Sequence, residues 1–199
     1  GGVAVFRDIT AAKRTDEALR DSQEQYRLLV TNANDIDGHG AGKLITMTGT
    51  TMTEKSASVL WTGAGKQGQG LISTETAALL DYPYGFASRF GDERRGTNPE
   101  ELLGAAHAAC FTMAFSFACD KAGFATTSAD TRAQVRLSAQ GEGFVIDRIN
   151  LSLTAVVPGL DEAGFQALAL SAKRDCPLSK ALAGVAEIGL QAKLEPAAG

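Results

Sequence analysis

Three cysteines, Cys110, Cys119 and Cys176, carry the most reactive side-chain chemistry in this chain of 199 residues. A thiolate is a strong nucleophile and a redox centre, whereas the neutral thiol is a poor one. Cys176 lies in Lys173-Arg-Asp-Cys-Pro-Leu-Ser-Lys-Ala, directly before a proline that opens a short helix. A helix start offers free N–H groups and the positive end of the dipole to an anion, so residue chemistry alone makes Cys176 the readier nucleophile. Cys110 sits inside Gly104-Ala-Ala-His-Ala-Ala-Cys-Phe, and a lone cysteine in mid-helix is normally an inert core residue. Cys119 follows it by nine positions, about 900° of helical rotation, which leaves it on the opposite face and unable to bridge to Cys110. It reads as core. His107 is within a turn of Cys110, where a Cys–His pair is one reading and packing or pocket lining is the other. With no Cys-x-x-Cys pair and only His39 and His107 as histidines, neither a structural zinc site nor a secreted disulfide framework is expected.

The element that must position Cys110 runs from Gly96 to Gly123. Asn98 is a good N-cap, Pro99 suits the first helical position, Glu101 completes a capping-box pattern and Gly123 stops the helix. It should span roughly 36 Å. Its residues are apolar or small almost all round, which predicts a helix without a solvent stripe, inside the protein. Before it, Ser56–Trp61 and Gly70–Glu75 read as two strands joined by a turn at Gly63-Ala-Gly-Lys-Gln-Gly, and Tyr82-Pro-Tyr-Gly-Phe-Ala-Ser-Arg-Phe reads as a loop. After it, Ala129–Leu137 and Phe144–Val157 alternate as a hairpin around Gln140-Gly-Glu-Gly. Asp161 then caps a second helix with Phe165, Leu168 and Ala172 on one face, Cys176-Pro177 opens a third, and Ala186–Leu194 alternates as a final strand. Strands, long helix, strands, helices and strand make an α+β arrangement.

A hydrophobic fraction of 44% can fill a core. The formal charge of −4 and pI near 5.2 give no footprint for nucleic acid or an anionic membrane. No long apolar run for a membrane span and no basic-then-apolar leader are read in the chain, and a cytoplasmic location is the resulting expectation. Gly1–Thr10 alternate like a strand and break at Asp8-Ile-Thr; Ala11–Ala33 is charged and helical in pattern, with a thin heptad seam at Ala12, Leu19 and Tyr26. This segment resembles the last strand of a PAS/PAC sensor domain, its terminal Asp-Ile-Thr, and the linker helix that follows. Asn32-Ala-Asn-Asp-Ile then runs into the glycine-rich Asp37-Gly-His-Gly-Ala-Gly. Residues 1–52 are therefore read as an appended PAS-like tail, linker helix and flexible stretch, and 53–199 as the main domain.

Taken together, Thr97-Asn-Pro-Glu-Glu-Leu…Ala-Ala-Cys110 and Lys173-Arg-Asp-Cys176-Pro-Leu-Ser-Lys-Ala resemble the paired-cysteine signatures of the OsmC/Ohr family of organic hydroperoxide reductases, the OsmC branch in particular. The resemblance runs from about Met52 to the C-terminus. It implies the OsmC fold, an intertwined homodimer whose two long helices are covered by strands of both subunits. It also implies that Cys110 is the peroxidatic cysteine, passing through a sulfenic acid, and that Cys176 resolves it as a disulfide. That assignment differs from the one that residue chemistry favours, and both stand at this point. By the same resemblance Arg89 holds the Cys110 thiolate and polarises the peroxide, and Glu100 orients that guanidinium through a bidentate pair. Arg94 and Arg95 are close enough in sequence to compete for the role, against a reading as solvated loop charges.

A positive charge near the attacking sulfur is needed, because burial alone favours the neutral thiol. Glu100 and Cys110 lie ten residues apart on one helix, roughly 15 Å, so one subunit cannot easily bring both to one peroxide and the site should be completed across a dimer interface. Phe111, Met113, Phe115 and the Tyr82–Phe86 loop are the expected apolar walls for alkyl or aryl tails. The function so implied is a thiol-dependent peroxidase with no bound cofactor, reset by a cellular dithiol, with dihydrolipoyl groups the family's suggestion. Two rivals remain open: a redox-sensing module using the same thiol pair, and an inert dimeric binding protein for small apolar ligands.

Overall fold

The computed structural model describes residues 53–92 and 95–196. In chain order they form β1 (Ala57–Thr62), a short 3-10 turn (Gly65–Gln67), β2 (Gln69–Thr74), β3 (Tyr82–Gly85), α1 (Phe86–Phe90), α2 (Pro99–Lys121), β4 (Ser128–Gln140), β5 (Gly143–Val156), α3 (Glu162–Asp175), α4 (Pro177–Ala181) and β6 (Glu187–Glu195). The expected PAS-like tail and linker over residues 1–52 lie outside the described residues.

Helix α2 begins where its capping residues dictate. The Asn98 side chain accepts a hydrogen bond from the Glu101 N–H at 2.8 Å, and Pro99 takes the first position. Gly123 leaves the helix at φ +87°, a left-handed conformation that glycine adopts without strain. Gly104, His107, Phe111, Phe115 and Cys119 form the buried stripe, spaced three and four apart. The expectation of a helix covered all round is corrected within one chain: Met113 and Phe117 on the other side are 59% and 66% exposed. The expectation that no run could span a membrane also needs correction, since α2 is long and apolar enough to do so by length and composition. Its alanines, phenylalanines and small residues give it that composition, while its buried stripe packs into a protein core.

That core lies between α2 and α3 on one side and the β4–β5–β6 sheet on the other. On β5, Ile149, Leu151, Leu153 and Ala155 alternate inward, each at most 1% exposed. Leu151, Leu153 and Ala155 meet Phe111, Phe115, Phe165, Ala169 and Ala172 from the helices. Phe115 and Phe165 cross edge-to-face with centroids 5.5 Å apart. β4 and β5 pair antiparallel, with the register shifting between Arg136 and Leu137 so that Asp147 opposes no residue. Such a bulge carries one extra residue, and Asp147 uses the position to bind Arg136 at 2.7 Å. β6 runs parallel to β5, a pairing that requires a crossover, and α3 with α4 supplies it.

β1, β2 and β3 form a separate antiparallel sheet. Tyr82–Phe90, expected as a loop, is instead the edge strand β3 followed by α1. An edge position tolerates Pro83, because its missing N–H is not required by a neighbour. The Tyr84 ring lies over Gly70, where a Cβ would come within 1.9 Å of it. The Thr97 N–H donates to the Pro83 carbonyl at 3.0 Å, and the Ser88 hydroxyl donates to the Thr97 carbonyl at 2.9 Å. Val59, Leu60 and Trp61 on β1 remain substantially exposed. Phe165→Ala is expected to lower the unfolding free energy by about 3–5 kcal/mol in urea titration; a loss below about 1 kcal/mol would contradict the central packing of this ring.

Candidate active site

Cys110 on α2 and Cys176 at the start of α4 come together although 66 positions separate them. Their sulfurs are 3.3 Å apart and not bonded. Pro177 fixes the chain direction after Cys176, whose own N–H still donates to the Ala172 carbonyl at 2.8 Å. Cys176 is fully buried and Cys110 half-buried. Cys119 is fully buried on the core stripe with Phe115.

The two thiols share one environment but differ in what it does to them. Burial raises the Cys110 pKa, with the backbone N–H of Leu178 opposing that rise and Cys176 reinforcing it. For Cys176 burial is again the largest influence and acts upward. The Ser179 N–H, the Cys110 thiol, the Ser179 hydroxyl and the Leu178 N–H together outweigh it and hold the sulfur below the ordinary thiol range. Cys176 is therefore the more acidic of the two thiols, and its sulfur lies within hydrogen-bonding distance of Cys110.

His107 does not pair with Cys110. Its Nε2 lies 2.9 Å from the Ser179 hydroxyl, both residues are buried, and its Nδ1 has no hydrogen-bond partner. Ser179 carries no special mark in the sequence beyond its place three residues after Cys176, in the first turn of α4. That spacing is the signal that could have assigned it a role.

Arg89 and Glu100 meet as a fork. Arg89 Nε donates to both carboxylate oxygens at 3.2 and 3.0 Å, and Nη2 donates to Oε1 at 2.5 Å. The carboxylate binds the protonated guanidinium and raises its pKa. The side chains are 34% and 12% exposed. Within one chain this fork sits at the N-terminal end of α2, ten residues from Cys110, so the two pairs of expected site residues are not brought together. Arg94 lies outside the described residues, and Arg95 lines a groove with Lys66, Tyr84 and Phe86. Phe111 and Phe115, expected as pocket walls, are fully buried core residues, because the helical period turns them toward α3 and the sheet. Among the described residues no group of three His, Cys, Asp or Glu side chains is placed to hold a metal.

Burial lowers the His107 pKa from 6.5. The unfolded chain then binds the proton first as pH falls, so this contribution to stability is full above about pH 6.5 and is lost below it. Unfolding free energy should decline from about pH 7.5 to about pH 5.5, and the decline should shrink in His107→Gln. Equal pH dependence in the two proteins would contradict a buried neutral imidazole.

The family model for OsmC-like protein matches residues 91–191. Peroxiredoxin OsmC of Escherichia coli (strain K12) is 47% identical over 141 residues, which cover 71% of this chain and 96% of that protein. The organic hydroperoxide resistance protein of Xanthomonas axonopodis pv. citri (strain 306) is 33% identical over 130 residues, covering 63% of this chain and 86% of that protein. A crystal structure of an organic hydroperoxide resistance protein from Elizabethkingia anophelis superposes with a TM-score of 0.56 at 24% identity, covering 74% of this chain and 99% of that one. The α+β architecture is thus shared with solved members of the group. With two cysteine motifs, a fold and a family model in agreement, the chain belongs to the OsmC family.

Proposed function

We propose that the chain is a thiol-dependent peroxidase that reduces organic hydroperoxides to alcohols, with Cys110 attacking and Cys176 resolving. The observation that carries this reading is the 3.3 Å contact of the two sulfurs. Closing to the roughly 2.05 Å of a disulfide requires about 1.3 Å of movement. The names of the relatives, a peroxiredoxin and an organic hydroperoxide resistance protein, support the same chemistry.

A guanidinium brought to Cys110 would favour its ionised form and leave the negative charge on the attacking sulfur, with the Cys176 thiol protonated. The Cys110 thiolate then attacks one peroxide oxygen, the O–O bond breaks, and a sulfenic acid and an alkoxide form. The alkoxide takes the Cys176 proton and leaves as the alcohol. The Cys176 thiolate attacks the sulfenic sulfur, the S–O bond breaks, and hydroxide leaves to be protonated by solvent. Two thiols and one hydroperoxide become one disulfide, one alcohol and one water. A dithiol such as a dihydrolipoyl group reduces the disulfide by exchange.

The guanidinium is assigned to Arg89 of a second copy, oriented by Glu100 of that copy. Supporting this are the rod of α2 between Glu100 and Cys110, and the apolar side chains left uncovered on α2 and β1. A two-fold dimer would cover these surfaces and complete two sites at once.

One equivalent of alkyl hydroperoxide followed by thiol blocking and mass measurement should show Cys110 joined to Cys176. Cys110→Ser should reduce turnover with excess dithiol to background, and Cys176→Ser should stop at the sulfenic acid. Full turnover in Cys110→Ser with loss in Cys176→Ser would reverse the roles, and a single oxidation without turnover would favour the sensor. Arg89→Ala should lose about 100-fold or more in kcat/KM. Randomly mixed Arg89→Ala and Cys110→Ser dimers should recover about one quarter of activity, since half are mixed and one of their two sites is intact. No recovery would overturn the shared site.

A further inference from the structure

The buried His107 has no part in the reaction as written, yet it touches Ser179, three residues after Cys176 in the first turn of α4. It lies one turn before Cys110 on α2, and its Nε2 is 2.9 Å from Ser179 Oγ on α4. A hydroxyl has one proton to donate. For Ser179 to donate to the Cys176 sulfur, its oxygen must accept from His107, and so the imidazole must carry its proton on Nε2. A neutral imidazole then has a bare Nδ1, and Nδ1 is the atom buried without a partner. Had the ring been charged, or the proton placed on Nδ1, a buried N–H would stand without an acceptor, which folded proteins rarely tolerate. That tautomer leaves the Ser179 proton free to turn toward Cys176, whose pKa the Ser179 hydroxyl lowers.

We propose that His107, acting through the Ser179 hydroxyl, is a positioning residue that holds the Cys176 sulfur ready for its attack on oxidised Cys110. This rests on the peroxidase reading for its catalytic meaning, though the His107–Ser179 contact, the unpartnered Nδ1 and the place of Ser179 in the turn that Cys176 opens stand on geometry alone. The titratable groups that meet Cys176 from other elements are Cys110 and, through Ser179, His107, both on α2; β4, β5 and β6 present apolar side chains to the same cluster. Of the charged residues beside it in sequence, Arg174 and Asp175 are exposed and paired with each other, and Lys180 is exposed. The polar line from His107 is therefore the one that reaches this sulfur from another helix besides Cys110 itself. In the resolving step the Cys176 thiolate forms the S–S bond, hydroxide departs from the Cys110 sulfenic acid, and one solvent proton makes water. His107 gains and loses no proton; it fixes which way Ser179 points.

The test uses the full chain with Cys110→Ser and Cys119→Ser, so that Cys176 is the one thiol, and follows thiolate ultraviolet absorbance against pH. Ser179→Ala and His107→Met should each raise the midpoint by about one unit, the worth of a hydrogen bond to a charged group. Ser179→Thr and His107→Gln, which keep the hydroxyl and the N–H, should stay near the parent. With the native cysteines, disulfide formation after oxidation should slow about threefold at neutral pH in Ser179→Ala, because tenfold less thiolate is partly offset by its greater nucleophilicity. An unchanged midpoint in folded Ser179→Ala overturns the proposal, and if His107→Met does not fold, Ser179→Ala decides alone. Absence of peroxidase turnover in the parent would sink the peroxidase reading and leave the titration result standing.

Discussion

The structure depends on two sulfurs being held in contact without being joined. A separation of 3.3 Å between Cys110 and Cys176 is a hydrogen-bonding distance for thiols and far from a covalent one. The contact requires α2 and the crossover from β5 to β6 to meet at one place. α3 carries the chain along the sheet face, Ala169 and Ala172 let it lie close to the core, and Pro177 turns the chain into α4 just after Cys176. The parallel pairing of β5 with β6 is what makes this crossover obligatory. The β5–β6 register thereby helps to place the second sulfur.

The electrostatics follow from that placement. Both thiols are withdrawn from water, and withdrawal alone would keep both protonated. They differ because Cys176 sits where α4 begins, with the N–H groups of Leu178 and Ser179 and the Ser179 hydroxyl around it, whereas Cys110 is in mid-helix with its own backbone groups already paired. The more acidic thiol is consequently the one proposed above as the resolving cysteine. An arginine arriving beside Cys110 would move the charge without moving either sulfur.

A helix is a rigid rod, and α2 keeps the Arg89–Glu100 fork and Cys110 at different points along it. No side-chain rotation in the same chain removes ten residues of separation. The apolar surface left open on α2 and β1 lies on elements that belong to the same problem, since a proposed second copy would cover it and supply the fork. Catalysis and assembly would then have one cause.

The sequence by itself determined the local elements. Asn98, Pro99 and Gly123 bounded α2, and alternation marked β4, β5 and β6, whereas the bulge at Asp147 appeared only in the strand pairing. These signals were legible because capping, pleat and turn chemistry act between near neighbours in the chain. The two cysteine motifs likewise pointed to a paired-thiol family before any distance was known. Tertiary structure alone decided that Phe111 and Phe115 pack into the core, that Tyr82–Gly85 is an edge strand, and that His107 meets Ser179 rather than Cys110. The greater acidity of Cys176 was legible in part from its place at a helix start, whereas its burial and its contact with Cys110 of another helix came from the packing. Cys110 and His107 share no sequence spacing with Cys176 and Ser179, and only the packing of α2 against the crossover brings them together.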